Sequence, residues 1–265
     1  MPERLSDDAV EQAVRLLLAS RGDHRRLDGL PASCRPATIA DGYRIQDTVA
    51  AAIGVPLAGW KIACTSDEAC QILGADGPFR GHLFEPLMVD SPAELSAGAF
   101  HMRGLEGEFA FRLGADLPAV GAPYVAGDMA AAVECLHPAI EIVDSRYAEW
   151  TTVGAPSLAA DNAAAGALVL GPAVTGWQSS DLAIQGVQLS VNGDPQRRGT
   201  GADVLGHPLA ALAWLANDRA AHGDGLKAGE VVTTGTCTGI VFVAAGDRAH
   251  ADFGDLGTVS LVFTD

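Results

Sequence analysis

RGLEGEFAFRLG, residues 103–114, carries the pattern that decides the fold. Successive side chains on a β-strand point to opposite faces, so Glu106 and Glu108 share one face with Ala110 and Arg112, while Leu105, Phe109 and Phe111 take the other. One face is apolar and the other brings two carboxylates together. A third carboxylate lies in HPAIEIVDSRY, residues 137–147, where Glu141 sits among Ala139, Ile140, Ile142 and Val143 as in a mostly buried strand. Glutamate is rarely buried without a partner.

The same texture of short apolar runs broken by Gly and Pro extends outward from Leu57 to the end of the chain. GWKIAC, GHLFEPLMV, AGALVLG, IQGVQLSVNGD, GEVVTTG, GIVFVAAGD and VSLVF read as further strands. Two helices precede them. Ser6, Asp7 and Asp8 open the first, whose stripe of Val10, Val14, Leu16, Leu17 and Leu18 runs to Arg21. The second begins near Thr38, carries Ile39, Tyr43, Ile45, Val49 and Ile53, and stops at Gly54 and Pro56. Two helical stretches interrupt the strands, Gly127 to Leu136 and Pro208 to Ala221, the latter with Pro in its first turn and Gly223 at its end. The prediction is an α+β chain forming a single domain over residues 1–265, with a helical portion at 1–56 and a β-rich portion at 57–265.

Composition bounds the function. With 265 residues, 48% hydrophobic and only 19% charged, the chain suits a sizeable core and lacks the signature of disorder. Lys plus Arg (17) against Asp plus Glu (33) leaves a net charge of −16, which repels nucleic acid and anionic lipid. A small anionic substrate therefore needs a local cation to receive it. The five cysteines (Cys34, Cys64, Cys70, Cys135, Cys237) show no Cys-x-x-Cys pair or zinc-ligand spacing and read as reduced core thiols. Without an apolar leader or a run of about 18 apolar residues, the expectation is a cytoplasmic protein, not inserted in a membrane.

Three carboxylates converging within ~5 Å would repel by ~3 kcal/mol per pair at an effective dielectric of about 20. A cation must offset that, and an all-oxygen donor set suits Mg²⁺ or Mn²⁺. The alternative reading of a bare Glu-x-Glu, a solvated strand face, stays open at this point. Lys61, between Trp60 and Ile62, sits in an apolar setting that predicts a depressed pKa and an acid/base role; a surface lysine on an edge strand is the alternative. Arg80 and Arg146 are candidates to clamp a carboxylate, or else surface residues. GTGADVLG and GTCTG read as tight turns, Ser157 lacks a nucleophile motif, and His137 and His207, each before Pro, read as turn or capping residues.

In order along the chain, GWKIACTS, LEGEFAF, HPAIEIVDSRY, AADNAAAGALVLG, GTGADVLGHPLAALAWLAN and GLKAGEVVTTGTCTG resemble the 2-keto-4-pentenoate hydratase family. That family includes 4-oxalocrotonate decarboxylases and lies within the fumarylacetoacetate hydrolase superfamily. The resemblance implies a mixed β-roll or sandwich, a metal site at Glu106, Glu108 and Glu141, and an active-site lysine at Lys61. It further implies Mg²⁺ or Mn²⁺ as cofactor and a small 2-oxo or 2-hydroxy acid as substrate. The implied reaction is hydration of a 2-hydroxy-2,4-dienoate to a 4-hydroxy-2-oxo acid, as in aromatic meta-cleavage catabolism. A 4-oxalocrotonate-type decarboxylase and a non-catalytic partner subunit are the alternatives. A homo-oligomer is expected, and a complex with a pathway enzyme is compatible.

The sequence departs from the family where many members carry an acidic residue in Pro-Asp-(Phe/Tyr)-Gly; here the run is GPFRGHLFEP, with Phe79 and Arg80. Asp76 or Glu85 would then substitute, or Arg80 would recognise a second carboxylate and favour a dicarboxylic substrate. Asp161, Asn162 and Thr236 are substrate-binding candidates by motif position, with turn and strand-end roles equally open.

Overall fold

A computed structural model describes residues 4–265. Two helices lie ahead of the first strand. Ser6 caps α1 (Asp7–Asp23) by accepting from Ala9 N, and Thr38 caps α2 (Ile39–Ile53) by accepting from Asp41 N, each satisfying a free N–H of the first turn. Neither helix builds a core of its own. Leu17, Ile45 and Val49 pack with Phe79, Tyr147 and Leu158 from the β-rich portion in one apolar cluster.

The β-rich portion holds two sheets. The larger runs β2 (Phe79–Phe84), β1 (Leu57–Ala63), β10 (Val231–Thr236), β5 (Gly104–Leu113), β6 (Val133–Val143), β7 (Ala165–Leu170) and β3 (Met88–Asp90), with β11 (Val241–Phe242) also paired to β5. It is mixed: β1 with β10 and β3 with β7 are parallel, the other pairs antiparallel. The smaller runs β4 (Ala93–Ser96), β13 (Thr258–Thr264), β12 (Arg248–Asp252), β8 (Gly186–Val191) and β9 (Asp194–Thr200). Leu105, Phe109 and Phe111 of the large sheet share one core with Leu189, Ala251, Val259 and Phe263 of the small one. The apolar face read from residues 103–114 thus points at the second sheet.

The remaining helices are α3 (Asp67–Leu73), α4 (Ala126–Ala132), α5 (Ala155–Ala160) and α6 (Pro208–Ala221). The helix predicted to reach Leu136 stops at Ala132, because Val133 onward is taken up in pairing with β5 and Val133, Leu136, Ile140 and Ile142 are buried. GIVFVAAGD yields only the two residues of β11. Strand β9 escaped the apolar pattern because it is an edge strand, exposed from Asp194 to Arg198. Helix α3 had a legible signal: Ser66 accepts from Ala69 N, Asp67 and Glu68 follow, and Gly74 closes it at φ +60°. Among the described residues no helix is long and apolar enough to cross a membrane.

Candidate active site

Strand register assembles the site. Glu106 lies directly opposite Glu141 in the β5/β6 pairing, and Glu108 stands two residues along the same face. Carboxylate oxygens of all three lie within 4.8 Å of one another. Like charges directly opposite destabilise a sheet, so this pairing is relieved by a neighbouring cation or by proton uptake. Across the sheet Lys61 is paired to Thr233, and Thr233 to Ala110, which carries Lys61 onto the carboxylate face. Its Nζ stands 3.1 Å from Glu141 Oε1 and donates to the Ala163 carbonyl at 3.0 Å.

That carbonyl is held in an unusual backbone. Asn162, Ala163 and Ala164 all have positive φ (57°, 52° and 57°). Left-handed backbone costs L-residues about 1–2 kcal/mol each, so the surroundings must impose it. They do so through Asn162, whose Oδ1 accepts from His82 N at 2.7 Å and whose Nδ2 donates to His82 O at 2.9 Å. Gly81 completes the contact: a Cβ there would meet the Asn162 carbonyl oxygen at 2.4 Å. Asp161 anchors the other side, accepting from Ser145 Oγ (2.7 Å), from Arg146 N (2.9 Å) and from Arg146 Nε.

The electrostatics are those of an anion-rich pocket awaiting positive charge. Burial and the neighbouring Glu141 push Glu106 up to about 7, with Lys61 opposing. Burial, Glu141 and Glu106 hold Glu108 well above the usual carboxylate range. Burial alone would lower the Lys61 ammonium, as the sequence predicted, but Glu141, Glu106 and Glu108 outweigh it and its pKa is raised. Three carboxylates and one ammonium carry a formal −2, which a divalent cation cancels. Glu108 Oε1 and Glu141 Oε2 are shut off from solvent without a hydrogen-bond partner, and Glu141 Oε1 has the Lys61 ammonium beside it. Unpartnered buried carboxylate oxygens on a hard, all-oxygen donor set fit Mg²⁺ or Mn²⁺. The other Glu108 oxygen is held, accepting from Gly235 N at 2.9 Å.

A cavity of about 300 Å³ opens over the site, lined by Lys61, Glu106, Gly235 and Thr236 together with a largely apolar wall. Gly235 has φ +95° and no room for a side chain, since a Cβ would lie 1.9 Å from Thr65 Oγ1. GTCTG, read as a tight turn, is instead the bulged end of β10 at Gly235 and Thr236 followed by a bend, and the strand end forms part of the cavity.

Of the remaining sequence candidates, Thr236 alone lines this cavity. Arg80 lies away from this cavity. It pairs with Ile62, whose side chain lies on the opposite face from that of Lys61, so its guanidinium reaches Asp218 Oδ2 of α6 at 2.8 Å and stacks on the Tyr43 ring at 3.7 Å. Only 1% exposed, it is a buried tie between β2 and the helices and not a carboxylate receptor in the cavity. Asp76 and Glu85 are exposed and do not line the cavity. Asp161 and Asn162 are buried at 1% and 3%, and hold backbone instead of facing the cavity. Arg146 is likewise buried against Asp161. Sequence reasoning missed the Ala163 carbonyl, for which only the AADNAAAG run offered a signal, and the wall contributed by α3 and Trp150.

The family signature "Fumarylacetoacetate (FAA) hydrolase C-terminal" matches residues 87–263, about two-thirds of the chain. The chain belongs to the fumarylacetoacetate hydrolase family. It is 38% identical to a 2-hydroxyhexa-2,4-dienoate hydratase of Comamonas testosteroni over 86% of this chain and 87% of that protein. It is 33% identical to a 4-oxalocrotonate decarboxylase of Pseudomonas putida, over 85% of this chain and 86% of the relative. The solved 4-oxalocrotonate decarboxylase from Pseudomonas putida G7, complexed with magnesium and adipate, superposes with a TM-score of 0.91 at 28% identity, covering 98% of this chain and 100% of that one.

Proposed function

We propose that this member of the family is a divalent-metal-dependent hydratase that converts a 2-hydroxy-2,4-dienoate into a 4-hydroxy-2-oxo acid. The observation that carries the reading is the set of three converging carboxylates with Lys61 against them, of which Glu106 and Lys61 line the cavity. Glu106, Glu108 and Glu141 are the residues that would hold the metal, Mg²⁺ or Mn²⁺ by donor chemistry. Bound there, the cation would act as a Lewis acid toward the negative charge that develops on the substrate's 2-oxygen. Its charge also accounts for three carboxylates gathered in a chain of net charge −16 that takes an anionic substrate.

Without a metal, Glu141, Glu106 and Glu108 raise the Lys61 pKa and favour its ammonium form; a cation held by the same carboxylates would oppose that rise and bring the group toward proton exchange. Held by Ala163 O and Glu141, Lys61 stabilises the enolate and delivers a proton as the dienol becomes the conjugated 2-oxo acid. Water then adds at C4, its oxygen to carbon and its proton to C3, and nothing else is consumed or released. Enclosure of the cavity by Thr236 and the apolar wall limits competing solvent.

Decarboxylation of a 2-oxo-enedioate is the second reading, supported by likeness to the decarboxylase over nearly the whole chain. It passes through the same enolate and releases CO₂ in place of gaining water. Supplying a 2-hydroxy-2,4-dienoate and, separately, a 2-oxo-enedioate with Mg²⁺ distinguishes them. The hydratase reading expects a 4-hydroxy-2-oxo acid from the first and no CO₂ from the second; CO₂ without hydration would reverse the order.

A further inference from the structure

We infer that the cavity selects substrates whose chain beyond the dienoate is an apolar alkyl or aryl group, against substrates that end in a second carboxylate. The inference deepens the hydratase reading and rests on it. Its ground is the wall: Ile72, Leu73, Phe79, Trp150, Leu158 and Phe242, brought together from separate segments, give the cavity an apolar lining. Two of them, Phe242 and Ile72, are 56% and 51% exposed and so leave apolar surface open to solvent beside the cavity. An apolar tail laid against them would remove that surface from water. A cavity of about 300 Å³ is at the lower edge of those that enclose drug-sized ligands, more than a five-carbon acid fills.

The polar lining argues in the same direction. Arg80 is turned away on the opposite face and paired with Asp218. Glu68 also lines the cavity and, exposed like Arg197, adds a weak, screened repulsion toward a second carboxylate. Apart from Lys61, the one cation in the lining is Arg197, on the exposed edge strand β9, where water screens an ion pair to little value. Its fitting role is to draw any substrate anion toward an acidic protein, irrespective of the tail.

The test uses the whole protein with Mg²⁺ and compares kcat/KM for 2-hydroxypenta-2,4-dienoate, a homologue with a three-methylene alkyl extension, and a dicarboxylic analogue of the same length. Burial of each methylene is expected to contribute about fourfold, so the extended monoacid should exceed the five-carbon acid by about 60-fold and the dicarboxylate should fall below both. Phe242→Arg, a change at an exposed position, should lower the extended monoacid about tenfold and raise the dicarboxylate. Arg197→Gln should weaken the two monoacids alike and the dianionic dicarboxylate somewhat more, in each case most at low salt. Equal kcat/KM for the three acids would overturn the inference. So would a preference for the dicarboxylate that Arg197→Gln abolishes. Calorimetry with the saturated 2-oxo acids of matched length separates the two claims: apolar preference in binding without hydration leaves the cavity reading standing and refutes the hydratase, whereas hydration of the five-carbon acid without preference does the reverse.

Discussion

Glu108→Gln separates a metal cradle from a structural ion-pair cluster, because the two readings predict stability changes of opposite sign. At 4.8 Å, the outer limit of the carboxylate separations, two full charges repel by about 3.5 kcal/mol at an effective dielectric of about 20. Glu108 takes part in two of the three repulsions, and its raised pKa shows that the metal-free protein already relieves part of them by binding a proton. Glutamine removes the charge, keeps the shape and leaves an oxygen to accept from Gly235 N, a bond of 2.9 Å in the native site. After discounting the proton uptake and the lost attraction to Lys61, a gain of about 2 kcal/mol remains at pH 8 in EDTA. That corresponds to a Tm rise of about 4–8 °C for a chain of this size. Adding Mg²⁺ should raise the Tm of the native protein and leave the variant nearly unmoved, with turnover abolished and circular dichroism unchanged. A variant that is less stable in EDTA and still responds to Mg²⁺ would refute the reasoning.

Three further predictions rest on the same electrostatics and packing. Glu106 binds its proton more tightly in the folded chain, with a pKa near 7 against an ordinary 4.5, so its contribution is fully present below about 4.5 and lost as pH rises through about 7. Urea titrations in EDTA should therefore show metal-free stability falling by up to about 3 kcal/mol over that window, and a flat profile would reject the placement of the carboxylates. Lys61→Met should lower turnover about 10²–10⁴-fold while calorimetry finds Mg²⁺ bound as tightly as before or tighter, since a positive charge has left the pocket. Arg80→Met should leave kcat and KM within about twofold below its melting temperature, yet cost about 3–5 kcal/mol in urea unfolding, because Asp218 loses its buried partner; a selective loss on dicarboxylic substrates would return Arg80 to the cavity.

The parts of the site legible in the sequence are those governed by strand periodicity. Glu106 and Glu108 share a face because their spacing is two, and Glu141 reads as buried because its neighbours are apolar. Register was not legible. Only the pairing shows that Glu106 faces Glu141, that Lys61 joins their face, and that Arg80 falls on the other. The pKa of Lys61 followed the register: its own apolar neighbours predicted depression, while the three carboxylates that decide the outcome lie on β5 and β6. Asp161 and Asn162 looked like ligand contacts by their place in a motif, but they hold the left-handed turn that aims the Ala163 carbonyl at Lys61. The cavity wall was invisible because Ile72, Trp150 and Phe242 are far apart in sequence and meet only in the fold.

The most direct measurement is NMR of 2-hydroxypenta-2,4-dienoate with the purified protein, once with Mg²⁺ and once with EDTA. The account predicts 4-hydroxy-2-oxopentanoate with Mg²⁺ and unchanged substrate with EDTA. Equal product formation in both samples would contradict a metal held by Glu106, Glu108 and Glu141, and no product in either would contradict the hydratase.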